Sequence, residues 1–279
     1  MSEAINKAPE FAARPAAWDR TNPIGDFVRD TLALADVELR KLRRDPAELL
    51  TRAIQPALWL LIFGQVFARI KAIPTGRLDY LTFMAPGILA QSVLFIAIFY
   101  GISVIWERDL GILQKLLVSP APRTALVLGK ALSAGVRGLA QGVIIYMLAL
   151  ALRIPLDFRI PQVLGVIAFI IIGSALFSTF SLAVACLVKT RERFMGIGQV
   201  LTMPLFFASN AIYPIATMPG WVGAAAKANP LSYQVDALRA LMVQGGSSVF
   251  GVGVDAAVLL AGLVALVLVT AALYPNVVR

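Results

Sequence analysis

The chain has 279 residues, 59% of them apolar and only 15% charged, with a net charge of +9 and a mean hydropathy of +0.80. Ordinary soluble domains carry roughly 25% charged residues, so the composition excludes a disordered chain, argues against a soluble enzyme and points to an all-α polytopic membrane protein. One cysteine, Cys186, and no histidine exclude a disulfide framework and His-based metal or acid–base sites.

Residues 1–25 read as a flexible cytoplasmic N-terminus, and residues 1–22 lack the apolar run of a signal peptide. Residues 26–50 then predict an amphipathic interface helix. Val28, Leu32, Ala35, Leu39 and Leu42 fall on one helical face. Arg40, Lys41, Arg43 and Arg44 crowd its C-terminal end, where the helix dipole and lipid phosphates both favour cations. Asp45-Pro46-Ala47-Glu48 has the capping pattern of a new helix start.

Residues 51–279 read as one transmembrane domain. Charged residues punctuate it into long uncharged intervals. A hydrocarbon core of ~30 Å needs about 20 helical residues, which gives six candidate spans at about 53–71, 82–105, 131–152, 162–188, 194–213 and 255–274. The first is short, and Arg69 and Lys71 snorkel from its far end. Six spans put both termini on one side. That side holds 18 of the 25 Lys and Arg residues, so the positive-inside rule makes it the cytoplasm.

Between the second and third spans, Trp106 to Arg123 is too long and too apolar for a solvated connection. Leu113, Leu116 and Leu117 form a ridge, with Trp106, Glu107, Arg108 and Gly111 before it and a Ser-Pro-Ala-Pro stop containing Pro120 after it. A short helix presenting such a ridge suits a docking surface for another protein; the plainer reading is an N-terminal cap of the third span. Lys130, Ser133, Arg137 and Gln141 form a polar stripe that either pairs within the bundle or faces a transport path. Trp59, Phe63 and Phe67, and likewise Phe95 and Phe99, recur at four-residue spacing. Such rings either pack against lipid and neighbouring helices or line a path for an amphipathic substrate. Asp79, Asp157, Asp236 and Asp255 fall outside the spans or at their ends, which argues against proton or sodium coupling. The charge-free interval after Arg193 exceeds one straight helix, and the excess beyond Ile212 contains Pro214, Pro219 and Gly220. It predicts two short helices that enter the outer leaflet without crossing, with Lys227 and Arg239 at the outer surface.

Residues 202–239 carry a small-residue patch around Ser209-Asn210-Ala211, a Met218-Pro219 step, and Asn229-Pro230-Leu231-Ser232-Tyr233 ending at Arg239. This resembles the signature of the type-2 ABC exporter permeases, the family of daunorubicin-resistance, nodulation-factor and polysaccharide export subunits. The Trp106-Glu107-Arg108 to Ser119-Pro120 loop, Gly129-Lys130 and Leu42-Arg43-Arg44-Asp45-Pro46 resemble the same family. The resemblance implies six helices, an interface helix, a coupling helix at 106–123 and a re-entrant hairpin at about 212–245. It also implies a non-catalytic permease that pairs with a second permease chain, homodimeric or paralogous, in the bacterial plasma membrane. Two copies of a separate ATPase would carry the ATP and Mg. No phosphate-binding loop is present here, since Gly129-Lys130 is followed by Ala131 and preceded at the needed distance by Thr124. No metal, catalytic residue or nucleic-acid partner is expected. The rival readings are an ion-coupled secondary transporter and a membrane-embedded lipid-modifying enzyme.

Overall fold

The computed structural model describes residues 54–71, 73–110, 123–188 and 190–273, together with Gly25, Arg40 and Thr51. In chain order the helices are α1 (Ile54–Ile70), α2 (Tyr80–Tyr100), α3 (Ile102–Asp109), α4 (Arg123–Ala151), α5 (Ile160–Leu187), α6 (Arg191–Phe207), α7 (Gly220–Ala228), α8 (Pro230–Met242) and α9 (Val252–Leu273). A 3-10 turn, Ile215–Thr217, precedes α7. Four helices are long and apolar enough to cross a bilayer: α2, α4 from Val127, α5 and α9. α1 is apolar but shorter.

α2 is the axis of the bundle. Asp79 caps its start, its carboxylate accepting from the Thr82 amide, and nearly every side chain from Tyr80 to Ile98 is buried. It packs against α4, α5 and α8, with α1 and α6 also in contact. α5 lies between α4 and α9. α9 buries one face only, through Asp255, Leu259, Val267 and Thr270. That spacing of about one helical turn or two is a single stripe on a helix.

Three expected boundaries shift. The fifth span was expected to reach residue 213, and its helix, α6, ends at Phe207. The second span ends at Tyr100 and turns at Gly101, where a continuous helix to residue 105 was expected. Its last turn tightens because the Gly101 amide donates to Ile98 O at 3.2 Å, and the Ser181 hydroxyl from α5 takes the same carbonyl. The helix of the third span, α4, begins at Arg123, directly after the Ser-Pro-Ala-Pro sequence, and so includes the apolar stretch ahead of residue 131. α1 carries a π-helical stretch, Trp59–Gly64, that hydropathy does not reveal.

Backbone proximity sets one tight contact. A Cβ on Gly87 would lie 2.3 Å from the carbonyl oxygen of Ala211, so only glycine lets α2 pass beneath the turn that follows α6.

Candidate functional site

The residues singled out from sequence fall at opposite ends of α2. Beyond its N-terminal end lies the hairpin formed by α7 and α8. Asn229 serves both helices: it follows α7, and its Oδ1 caps α8 by accepting from the Leu231 amide at 2.9 Å. Pro230 occupies the first helical position, where its missing N–H costs nothing. The Asn229 Nδ2 donates to Leu205 O at 2.6 Å and Ala208 O at 2.8 Å, the open carbonyls at the end of α6. The sequence element Asn-Pro is therefore a clasp joining the hairpin to α6. Ser209 Oγ donates to Phe206 O at 2.6 Å and accepts from the Ala211 amide at 3.3 Å, which shapes the turn. Tyr233 donates to Lys227 O at 2.7 Å across the hairpin, and its ring lies 4.8 Å from that of Phe250. Pro214 caps the 3-10 turn and Pro219 caps α7.

Arg239 corrects the sequence reading. It was expected at the outer surface and is instead buried, with 5% exposure. Its Nε donates to Phe83 O at 3.2 Å, its Nη2 donates to Asn210 O at 2.6 Å, and its guanidinium lies 3.8 Å over the Phe83 ring. A planar, weakly hydrated cation with a fork of donors suits two carbonyls and a ring face. One side chain thus ties α8 to the start of α2 and to the turn after α6. Lys227 is exposed, as expected. Gly246 completes this end: a Cβ there would lie 2.0 Å from Arg239 O.

Asp236 and Asp255 were read as span-end carboxylates, and both are fully buried. Asp236 Oδ2 accepts from Ser248 Oγ at 2.7 Å and from the amides of Val249 and Phe250 at 2.7 and 2.9 Å. Asp255 Oδ2 lies 3.0 Å from the same Ser248 hydroxyl, which also accepts from the Gly251 amide. Ser248 Oγ thus joins the two carboxyl groups in a trio. Its amide partners show that it fixes the loop before α9. Nearby, the loop after α4 pairs with the end of α8 through Asp157 N to Met242 O and Gln244 N to Pro155 O. The Arg159 guanidinium hydrogen-bonds both Asp157 oxygens and holds that carboxyl below the usual range.

At the other end of α2 stands α3. Its Trp106 is half exposed and lies under the Arg191 guanidinium, 3.9 Å from the ring centroid. Arg191 also bonds Asp109 Oδ2 through Nε at 3.2 Å and Nη2 at 2.8 Å. Arg191 opens α6, so this clamp joins α3 to α6. The sequence reading missed it because Arg191 is 82 residues from Asp109. Glu107 and Arg108 lie in α3. Gly111, Leu113, Leu116 and Pro120 fall outside the described residues, as do Leu39, Arg43 and Arg44; Arg40 is helical and exposed.

The two aromatic rows separate. Trp59 lies 4.5 Å from Phe63, and Phe63 6.3 Å from Phe67; Trp59 continues to Phe206 and Phe207 of α6, and Phe67 to Tyr80. Phe95 and Phe99 pair at 6.3 Å on α2, and among the described residues no ring contact joins them to the α1 row. Arg137 stands 5.4 Å from the Tyr100 ring centroid, which favours pairing inside the bundle. Ser133 bonds back to Gly129 O. No group of three or more metal-ligating side chains occurs among the described residues.

An apolar helical bundle clasped to a short hairpin at one end and bearing a small amphipathic helix at the other is the architecture of a polytopic membrane protein. The chain belongs to the ABC-2 type transporter family, whose match covers residues 29–243. It is 30% identical over 218 residues to ycf38 of Cyanophora paradoxa, named as a transport permease, covering 77% of this chain and 74% of that protein. It is 29% identical over 220 residues to the daunorubicin resistance ABC transporter permease protein DrrB1 of Streptomyces coeruleorubidus, covering 79% and 76%. Against the doxorubicin resistance ABC transporter permease protein DrrC of Mycobacterium tuberculosis the identity is 25% over 228 residues, covering 78% and 79%. The family places the chain in a membrane as a non-catalytic permease and implies an ABC ATPase as its working partner.

Proposed function

We propose that this chain is the permease of an ATP-driven exporter that moves an amphipathic drug, lipid or glycan-linked molecule out of the cytoplasm. Two permease chains form the path, and two ATPase subunits, which carry the ATP and Mg, dock at the α3 end. The bacterial plasma membrane is its site, with both termini cytoplasmic. In this reading α1 and α6, of 17 residues each, join the four long helices as six spans. Seventeen residues cover about 25 Å, and flanking cations make up the rest. α7 and α8 have 9 and 13 residues, too few to cross, which supports a re-entrant hairpin.

The observation that carries the reading is the clamp of Arg191 on Trp106 and Asp109. A short helix at the end of the bundle, packed through Ile105 onto Ala185 and Phe194 and fastened to the first turn of α6, is a handle through which a closing ATPase pair moves the spans as bodies. The surface of α6 supports the second permease chain. It buries only Phe194, Gly198, Thr202 and Phe206, and leaves Gly196 and Gln199 exposed in mid-helix. A glutamine facing lipid is costly, and small and polar residues are what helix–helix contacts in membranes use. The aromatic rows give the path apolar walls without a buried carboxylate at mid-span, which suits amphipathic cargo.

The test is co-reconstitution with the partner ATPase. A cysteine at position 106 in a Cys186→Ala background crosslinks to the ATPase, and vesicles accumulate a fluorescent amphiphile only with ATP. Position 106 remaining distant from the ATPase, or accumulation driven by an ion gradient alone, overturns the reading.

A further inference from the structure

Between the start of α1 and the second half of α2 lies a cleft of about 190 Å³. Gln55 and Pro56 form one wall, and Gln91, Ser92, Phe95 and Phe99 form the other. Among the described residues no charged side chain lines it. A charge placed there would lose its hydration without a counter-ion, so the cleft selects against ions. Phe95 and Phe99, tilted to each other with centroids 6.3 Å apart, supply apolar ring surface. The polar capacity is uneven. The Ser92 hydroxyl already donates to Ile88 O at 2.7 Å. Gln91 is 3% exposed, and its Oε1 is buried with no hydrogen-bond partner. A half-turn about the Cγ–Cδ bond, a broad torsion, exchanges the donor and acceptor ends of the amide, so Gln91 meets a hydroxyl in either role. Gln141 and Asn210 also carry unpartnered buried amide atoms, but they do not line this cleft. For scale, an apolar cavity of about 150 Å³ admits benzene, so this cleft holds one ring with a small substituent.

We infer that the cleft binds a neutral, hydroxylated aromatic ring, with the ring against Phe95 and Phe99 and the hydroxyl on Gln91. This names the chemical class of one part of the cargo and rests on the exporter reading. It gives separate roles to the two aromatic rows, with the α2 pair contacting the ligand and the α1 row packing through Trp59 on α6 and through Phe67 on Tyr80 of α2.

The purified full chain in lipid nanodiscs, without ATP, is titrated with 4-methylphenol and with toluene, and empty nanodiscs supply the partition background. The wild type binds 4-methylphenol about five- to tenfold more tightly than toluene, the ratio that one satisfied hydrogen bond gives. Gln91→Leu brings the ratio to within twofold while toluene still binds, and Gln91→Met repeats the test if the leucine variant does not fold. Phe99→Ala weakens both ligands together. A ratio unchanged in the Gln91 variants, or binding no greater than in empty nanodiscs, overturns the assignment. Because no nucleotide is present, a bound ring with no ATP-driven transport would sink the exporter reading and leave the cleft. Transport in a chain whose Gln91 variant keeps the ratio would do the reverse.

Discussion

The hairpin end and the α3 end of this molecule are built on opposite principles. At the hairpin end, Asn229, Asp236 and Arg239 are buried and hydrogen-bond to carbonyls or amides of other segments, while Asp236 Oδ1 has no hydrogen-bond partner among the described residues. At the α3 end, Arg191, Asp109 and Trp106 are part-exposed, and their contacts are an ion pair and a ring face. Buried, satisfied polar groups are costly to open and fix one geometry. Exposed pairs contribute little and exchange readily. The contrast supports the proposed reading, in which one end holds as a unit and the ATPase grasps the other.

Three substitutions sharpen this contrast. The largest effect falls on Arg239→Ala, which leaves the carbonyls of Phe83 and Asn210 without their donor and opens a void beneath the Phe83 ring. A loss of about 3 kcal/mol or more is expected, read as a drop in Tm of the detergent-solubilised protein. Arg239→Lys recovers only part, because an ammonium lacks the planar fork. A variant as stable as the wild type would show that the buried guanidinium is dispensable and the contrast false. Arg191→Ala comes next. Its cost in stability is at most about 1 kcal/mol, since both partners are more than a third exposed. Transport per ATP hydrolysed should nevertheless fall several-fold in the reconstituted complex. If Tm falls as far as for Arg239→Ala, the α3 end is an anchor and not a handle.

The smallest effect concerns pH. Asp157 has its carboxyl held down by Arg159. Its contribution is fully present above the ordinary carboxylate pKa of 3.8 and disappears as pH falls through the depressed folded value. Asp157→Asn should therefore change Tm equally at pH 6 and pH 8, and the difference from wild type should shrink only below about pH 4. The Arg159 side chain is largely exposed, so the effect is slight at any pH. A difference that changes between pH 6 and pH 8 would place the cause in another group.

Hydropathy located the apolar helices closely: residues 162–188 against Ile160–Leu187, and 255–274 against Val252–Leu273. It also marked the surplus after the fifth interval, where Pro214, Pro219 and Pro230 punctuate the chain. Those features are local, and periodicity and proline chemistry report them. The burial of Arg239 was not legible, because its partners Phe83 and Asn210 lie 156 and 29 residues away. A charged residue three positions after Asp236 reads by default as a solvated face. Asp236 and Asp255 were hidden in the same way by a loop that folds over them. Arg191 was visible only as part of a basic cluster. The aromatic spacing was read as one kind of signal, although tertiary packing gives the two rows different neighbours.

The π-helical stretch Trp59–Gly64 acts like a dislocation in a crystal. A π turn accommodates one residue more than an α turn, so α1 holds a surplus residue without disturbing the chain on either side. Side chains four apart on an ordinary α-helix drift by about 40° at each step, and the wider turn offsets that drift between Trp59 and Phe63, which keeps the row facing α6. Removing one residue between positions 59 and 64 would let the stretch relax to ordinary helix and leave Thr51 and Arg69 in register. The same deletion in α2 would rotate every later side chain by about 100° and scramble the core. A one-residue change of length therefore has a place to be absorbed inside α1, and that place is its aromatic turn.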